Sequence, residues 1–288
     1  MTREPILRRV ECYFRGAQRN TLFRRAWLPD RVDRVLLLVH GLGEHSGRYE
    51  GMGAWFARRS CAVHAYDLQG HGRSSGKRGH ARRFRHFVDD LEVVLSTVAQ
   101  EHPGPPIFLF GHSMGGLVVE ELLRGNKPDI AGAVTSGAVL AADPSQSSMR
   151  AFVLRALRHL LPRWSIETGI DPEALCSDSA VGRQYLEDPL VLRHMTLSLA
   201  AEFSATRKLA ESGAPEIELP MLLLQGEEDG ISPIEGSRAF RAGLATPSEL
   251  RTYPGLRHEI WNEPLREAIF EEVLDWLCRR ERIAAHAS

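Results

Sequence analysis

Five short apolar runs recur along the chain without polar alternation: Val35 to Val39, Ala62 to Tyr66, Ile107 to Phe110, Ile130 to Thr135 and Met221 to Leu224. A strand that is apolar on both sides has to be covered on both sides, which is the situation of a parallel sheet held between two layers of helices. Helical patterns fill the intervals at Tyr49 to Arg59, Phe87 to Glu101 and Gly116 to Arg124. The order strand, helix, strand, helix predicts an α/β domain with right-handed crossovers. Cys12 to Trp27, interrupted by Gly16 and Asn20, reads instead as an antiparallel hairpin feeding the sheet edge. Pro264 to Arg280 reads as a C-terminal helix that turns Ile269, Val273, Trp276 and Leu277 to the core.

The rhythm fails between Ala142 and Gly213, where Pro144, Pro162, Pro172 and Pro189 separate helical stretches and no strand-like run is seen. The expected organisation is a core of residues 1–141 and 214–288 with a helical insertion at 142–213. Within the insertion, Phe152, Val153, Ala156, Leu157, Leu160 and Leu161 share one side of a helical wheel, and Arg155, Arg158 and His159 the other. Such a helix either packs its apolar side on the core or rests on a lipid surface.

Composition removes several classes. With 36 Lys+Arg against 37 Asp+Glu the formal charge is −1, so no global field draws in nucleic acid. Cys12, Cys61, Cys176 and Cys278 form no CxxC pair and lie near no histidine at ligand spacing, so neither a disulfide framework nor a zinc site is expected. The N-terminus is charged and no stretch nears the roughly 18–20 apolar residues of a spanning helix, so a soluble cytoplasmic protein is expected.

Gly111-His112-Ser113-Met114-Gly115 stands between an apolar run and a helical pattern. In that setting Ser113 sits on a sharp strand-to-helix turn with its hydroxyl presented outward. The same string could be a plain tight turn, so the case depends on partners. A serine hydroxyl needs an adjacent base, itself oriented by a carboxylate. Loops beyond strand ends are where such groups gather in open parallel sheets. Asp229 lies in the loop after Met221 to Leu224, and His258 in the loop after Leu250 to Tyr253. The order Ser, Asp, His is that of α/β-hydrolases. Glu227 and Glu228 compete with Asp229, whose place before Gly230-Ile231-Ser232-Pro233 favours it. His112 is expected to pack under the turn rather than act as the base. Two backbone N–H groups for a developing oxyanion are expected from Met114, after the serine, and from Leu42, in His40-Gly41-Leu42-Gly43.

Four segments together carry a family resemblance: His40 to Tyr49 (HGLGEHSGRY), Asp67 to Ser74 (DLQGHGRS), Gly111 to Gly116 (GHSMGG) and Tyr253 to Glu259 (YPGLRHE). From about Asn20 to Leu277 the chain resembles the monoacylglycerol lipases, often labelled lysophospholipases, of the serine α/β-hydrolase fold. The resemblance implies a mostly parallel sheet flanked by helices, with residues 142–213 as a cap forming an apolar tunnel over the site. It implies cleavage of a monoacylglycerol to fatty acid and glycerol through an acyl-enzyme on Ser113, with His258 as base and Asp229 as its partner, and without a metal or cofactor. Glu44 and Arg48 match the polar residues of the family motif, and either bind the glycerol end or pair with each other. A lysophospholipase or general carboxylesterase would share every catalytic residue and differ in the cap. A non-catalytic lipid-binding hydrolase fold would be expected to lack Ser113, Asp229 or His258. The expected partners are a small lipid ester and, through the cap, a membrane surface.

Overall fold

The computed structural model describes residues 7–138 and 160–287. Strands β1 (Arg8–Arg15), β2 (Thr21–Leu28), β3 (Arg34–Val39), β4 (Cys61–Tyr66), β5 (Ile107–His112), β6 (Gly132–Ser136), β9 (Met221–Gly226) and β10 (Glu249–Tyr253) form one sheet. Their order is β1-β2-β4-β3-β5-β6-β9-β10. The pairs from β4 through β10 are all parallel, whereas β1 and β2 are antiparallel to each other and β2 to β4. The antiparallel pair is the expected hairpin, closed by a turn at Gly16 to Asn20.

Each apolar run serves two cores because successive side chains of a strand point to opposite faces. Val35, Leu37 and Val39 enter one cluster with helices α2 (Arg85–Glu101) and α3 (Met114–Gly125). Leu36 and Leu38 enter the other, with α1 (Glu50–Ala57) and the C-terminal α7 (Arg266–Ala287). In α7 the expected inward set, Ile269, Val273, Trp276 and Leu277, is buried. The sheet is thus covered on both sides, as continuous apolar strands require.

Between β6 and β9 the described chain starts at residue 160. It contains strands β7 (Ser165–Glu167) and β8 (His194–Thr196) and helices α4 (Ser179–Glu187) and α5 (Leu197–Gly213); α6 (Ile234–Gly243) follows β9. The antiparallel β7–β8 ribbon corrects the all-helical expectation for this stretch. Its strands are three residues long, too short to show any periodicity. The amphipathic pattern expected from Phe152 onward lies outside the described residues as far as His159.

Candidate active site

Ser113 caps α3 directly after β5, with φ 52° and ψ −119°. A non-glycine residue at positive φ is strained by about 1–3 kcal/mol. Neighbouring bonds hold it there: the Ser113 N–H donates to the Ser136 carbonyl at 2.9 Å, and its own carbonyl accepts from Gly116 and Leu117. Close approach fixes Gly115, because a Cβ there would lie 2.1 Å from the Val39 carbonyl oxygen of the neighbouring strand. Any larger residue would force the first turn of α3 away from β3, and Ser113 with it.

The ring of His258 packs against that of His112, centroids 4.7 Å apart. It also covers Gly137, where a Cβ would stand 3.0 Å from His258 Nδ1. The imidazole therefore lies over the C-terminal ends of β5 and β6, beside the residue that precedes Ser113. Its Nδ1 meets Asp229 Oδ2 at 2.8 Å, with both side chains buried. Burial alone lowers the basicity of this histidine, but the charge and hydrogen bond of Asp229, aided by Glu259 and Glu44, outweigh it, so its pKa is raised above 6.5. Asp229 Oδ1 accepts the N–H groups of Ile231 and Ser232 at 2.9 and 2.8 Å. Glu227 and Glu228, by contrast, are exposed.

His112 is buried and its Nδ1 lies 3.0 Å from the Ser136 carbonyl, so that nitrogen carries the proton. Burial, then the charges of His258 and Arg48, push its pKa well below 6.5. His112 is a neutral packing residue of the turn.

The loop after β3 is fixed from two directions. His40 Nε2 accepts the Leu68 N–H at 2.9 Å, which leaves Nδ1 to donate to the Gly41 carbonyl at 2.8 Å. Glu44 Oε1 accepts the Gly41 N–H at 2.6 Å and the Tyr49 hydroxyl at 2.8 Å. Between these bonds the Leu42 N–H carries no hydrogen bond among the described residues. Met114, the other expected donor, lies in the first turn of α3, where N–H groups have no intrahelical acceptor. A Cβ on Gly41 would stand 3.1 Å from the Ser113 Cβ, which brings this loop against the serine.

Glu44 and Arg48 are brought together: Arg48 Nη1 reaches Glu44 Oε2 at 3.1 Å and forks onto both oxygens of Glu259 at 2.5 and 2.9 Å. Arg48 also lies 5.1 Å from the centre of the Tyr185 ring, on α4. Glu259 and Gln225 are members of the site that the sequence reading did not pick out. Their signals were weak: Glu259 adjoins His258 in sequence, and Gln225 ends an apolar strand.

The stretch between β6 and β9 docks on the loop after β3 and on the loop after β10. Leu192 donates to the Gly43 carbonyl at 2.7 Å, and His45 Nε2 meets Asp188 Oδ2 at 2.8 Å. On the other side Glu259 donates to the Leu175 carbonyl at 2.7 Å.

Among the described residues, His64, Glu101 and His102 are the group with metal-ligating atoms close together. The two Nε2 atoms face each other at 2.8 Å with ring centres 5.0 Å apart, nearly in line. An ion between them would be about 1.4 Å from each nitrogen, well inside the roughly 2.0–2.1 Å of a Zn–N bond. The arrangement is a histidine–histidine hydrogen bond, and Arg24 occupies Glu101 at 2.6 Å.

The sheet order and the strand–turn–helix around Ser113 define an α/β-hydrolase fold. The serine aminopeptidase S33 family matches residues 30–265. The monoacylglycerol lipase of Mycolicibacterium smegmatis is 32% identical over 272 residues, 93% of this chain and 97% of that one. Human monoglyceride lipase is 30% identical over 93% of this chain and 90% of its own. The crystal structure of Paleococcus ferrophilus monoacylglycerol lipase superposes with a TM-score of 0.82 at 32% identity, over 90% of this chain and 99% of that one. The chain belongs to the monoacylglycerol lipase family of the serine α/β-hydrolases. Among the described residues no helix is long and apolar enough to cross a membrane.

Proposed function

We propose that the protein hydrolyses the ester bond of monoacylglycerols, with Ser113 as nucleophile, His258 as base and Asp229 as the acid that orients it. The observation that carries this reading is the buried His258–Asp229 pair set beside a serine on a strained turn. Family membership supports the substrate class, since relatives over most of the chain are named monoacylglycerol or monoglyceride lipases.

In this mechanism Asp229 takes the Nδ1 proton into its hydrogen bond, leaving Nε2 of His258 free to accept the Ser113 proton as Oγ bonds to the ester carbon. Negative charge that develops on the carbonyl oxygen is met by the Leu42 and Met114 N–H groups. The imidazolium then protonates the departing glycerol oxygen. Water, deprotonated by the same nitrogen, releases the fatty acid and restores Ser113. None of these steps calls for a metal or cofactor. For Glu44 and Arg48 we favour the ion-pair reading, because Gly41, Tyr49 and Glu259 already occupy their polar atoms.

Residues 142–213 act in this reading as the cap of a core formed by 1–141 and 214–288. Leu160 and Trp164 expose apolar side chains on it, 79% and 62% accessible, and would meet a lipid surface. Co-sedimentation with anionic vesicles, lost in a Leu160→Ser/Trp164→Ser variant, tests that contact; equal sedimentation of both proteins would refute it.

The deciding experiment is a turnover panel of monoacylglycerols, lysophospholipids and triacylglycerols of varied chain length, run with the Ser113→Ala variant as control. Monoacylglycerol cleavage should dominate and vanish in the variant. Preference for lysophospholipids would transfer the assignment to that class, and turnover retained by the variant would remove Ser113 from its role.

A further inference from the structure

A base must be held at its backbone as well as at its ring. The loop that carries His258 leaves β10 through Pro254 and Gly255, both exposed, and Gly255 has φ 76° with no atom near where a Cβ would stand. On one side the loop is tied to the segment after β9, Glu227 donating to the Tyr253 carbonyl and Glu228 to that of Leu256 at 3.0 Å each, and its other side is held by the residues that follow.

Glu263 is fully buried. Its Oε1 accepts two backbone N–H groups at 3.0 Å, one from Arg257, the residue before His258, and one from Ser177 of the inserted stretch. Its Oε2 takes the Ser177 hydroxyl in a short bond. Around this point the two segments run together. His258 donates to the Ala174 carbonyl, Glu259 to that of Leu175, and the Arg257 guanidinium to those of Glu173 and Cys176 at 2.5 and 3.1 Å. Hydrogen bonds to an ionised acceptor are about twice as strong as neutral ones. One carboxylate oxygen shared by two backbone donors fixes the distance between the segments that supply them.

We propose that Glu263 is a positioning residue for the proposed base, clamping the His258 loop to residues 173–177 so that the imidazole keeps its alignment between Ser113 and Asp229. The proposal rests on His258 being the base. It also divides the inserted stretch by role: residues 173–177 belong mechanically to the catalytic loop, whatever the rest of the stretch covers.

The test compares Glu263→Gln, Glu263→Ala and Glu263→Asp on a soluble short-chain ester, with fluorophosphonate labelling of Ser113 as a second readout. Glutamine can keep all three contacts, its oxygen accepting both N–H groups and its amide donating to the Ser177 hydroxyl, so it should stay within about threefold of wild type. Alanine leaves two N–H groups and a hydroxyl without their acceptor. Misplacement by about 1 Å can cost on the order of 100-fold, so kcat and the labelling rate should fall about 10- to 100-fold with KM within about twofold. If alanine prevents folding, aspartate decides, since it keeps the charge but is one methylene too short to serve both segments; it should show the same kcat loss. The acid limb of the pH profile should also move down in these variants, because a loosened Asp229 bond raises the His258 pKa less, whereas a purely structural contribution would leave it in place.

Wild-type kcat and acid limb in the alanine or aspartate variant would overturn the proposal, as would glutamine as damaging as alanine. His258→Ala separates the two levels of inference. Labelling retained in that variant sinks the base assignment, while labelling lost there but kept in Glu263→Ala sinks only the clamp.

Discussion

Gln225 donates through Nε2 to Asp229 Oδ2 at 2.9 Å, and this is the same oxygen that meets His258 at 2.8 Å. Gln225 is itself held by the Ser237 hydroxyl and the Ser232 carbonyl. Asp229 therefore has its oxygens satisfied by four donors in a fixed arrangement, and only an acceptor fits opposite the His258 Nδ1–H. Asp229→Asn should lower kcat by on the order of 10³- to 10⁴-fold by favouring the wrong histidine tautomer, while Glu227→Gln and Glu228→Gln stay near wild type. In the parent protein the acid limb of kcat/KM should have its midpoint above 6.5, following the raised His258 pKa. Steady-state kinetics across pH checks both; a larger loss in either glutamate variant would move the acid.

Gly41 offers a handle on backbone donors that cannot be deleted directly. A Cβ there would meet Glu44 Oε1 at 3.0 Å, the Ser113 Cβ at 3.1 Å and the His112 carbonyl at 3.4 Å. Gly41→Val has to displace the Glu44 carboxylate that holds this loop or the serine itself. Loss of one oxyanion donor typically costs about 10²- to 10³-fold in kcat, and a fall of that size is expected. Wild-type kcat in a folded Gly41→Val protein would remove the Leu42 N–H from the mechanism.

Much of this site is legible in the sequence because it depends on local features. The strand runs, the hairpin and the Ser113 turn are set by periodicity and glycine, and Asp229 and His258 by loop position after strands. What was not legible depends on distant partners. Arg48 finds Glu259 from 211 residues away, and Ser177 finds Glu263 from 86, with nothing local to announce either contact. The first of them, by occupying the Arg48 guanidinium, favours the ion-pair reading of Glu44 and Arg48. Local pattern therefore marks the candidate groups of the site more readily than the side chains that support them.

Two buried histidines beside the loop after β3 should make the fold sensitive to acid. His71 and His40 have ring centres 5.5 Å apart, and burial, the largest cause for each, lowers their pKa values to about 3 and about 4. Unfolded, both would titrate near 6.5, so the unfolded chain binds more protons below that pH. Their contribution to stability is complete above about 6.5 and is lost as pH falls toward the folded values, by up to about 1.4 kcal/mol per pH unit for each histidine. Urea unfolding between pH 7 and 4 should show this slope, and His71→Gln should make it shallower even where it lowers stability at pH 7. An unchanged slope would assign the acid sensitivity elsewhere.

Glu120 works in the opposite direction. It is buried in α3 and neither carboxylate oxygen has a hydrogen-bond partner among the described residues. Burial, with a smaller push from Glu121, raises its pKa well above the usual carboxylate range. In the unfolded chain the same group ionises near 4.3, so stability is full below that pH and is lost as pH rises toward the folded pKa. Glu120→Gln keeps the size of the side chain and removes the ionisation. The variant should match the parent near pH 4 and exceed it by about 1 kcal/mol or more at pH 7 to 8, since each unit between the unfolded and folded values is worth about 1.4 kcal/mol. Denaturant unfolding at the two pH values measures the difference, and a variant no more stable at pH 8 than its parent would show that Glu120 has a partner that keeps it charged.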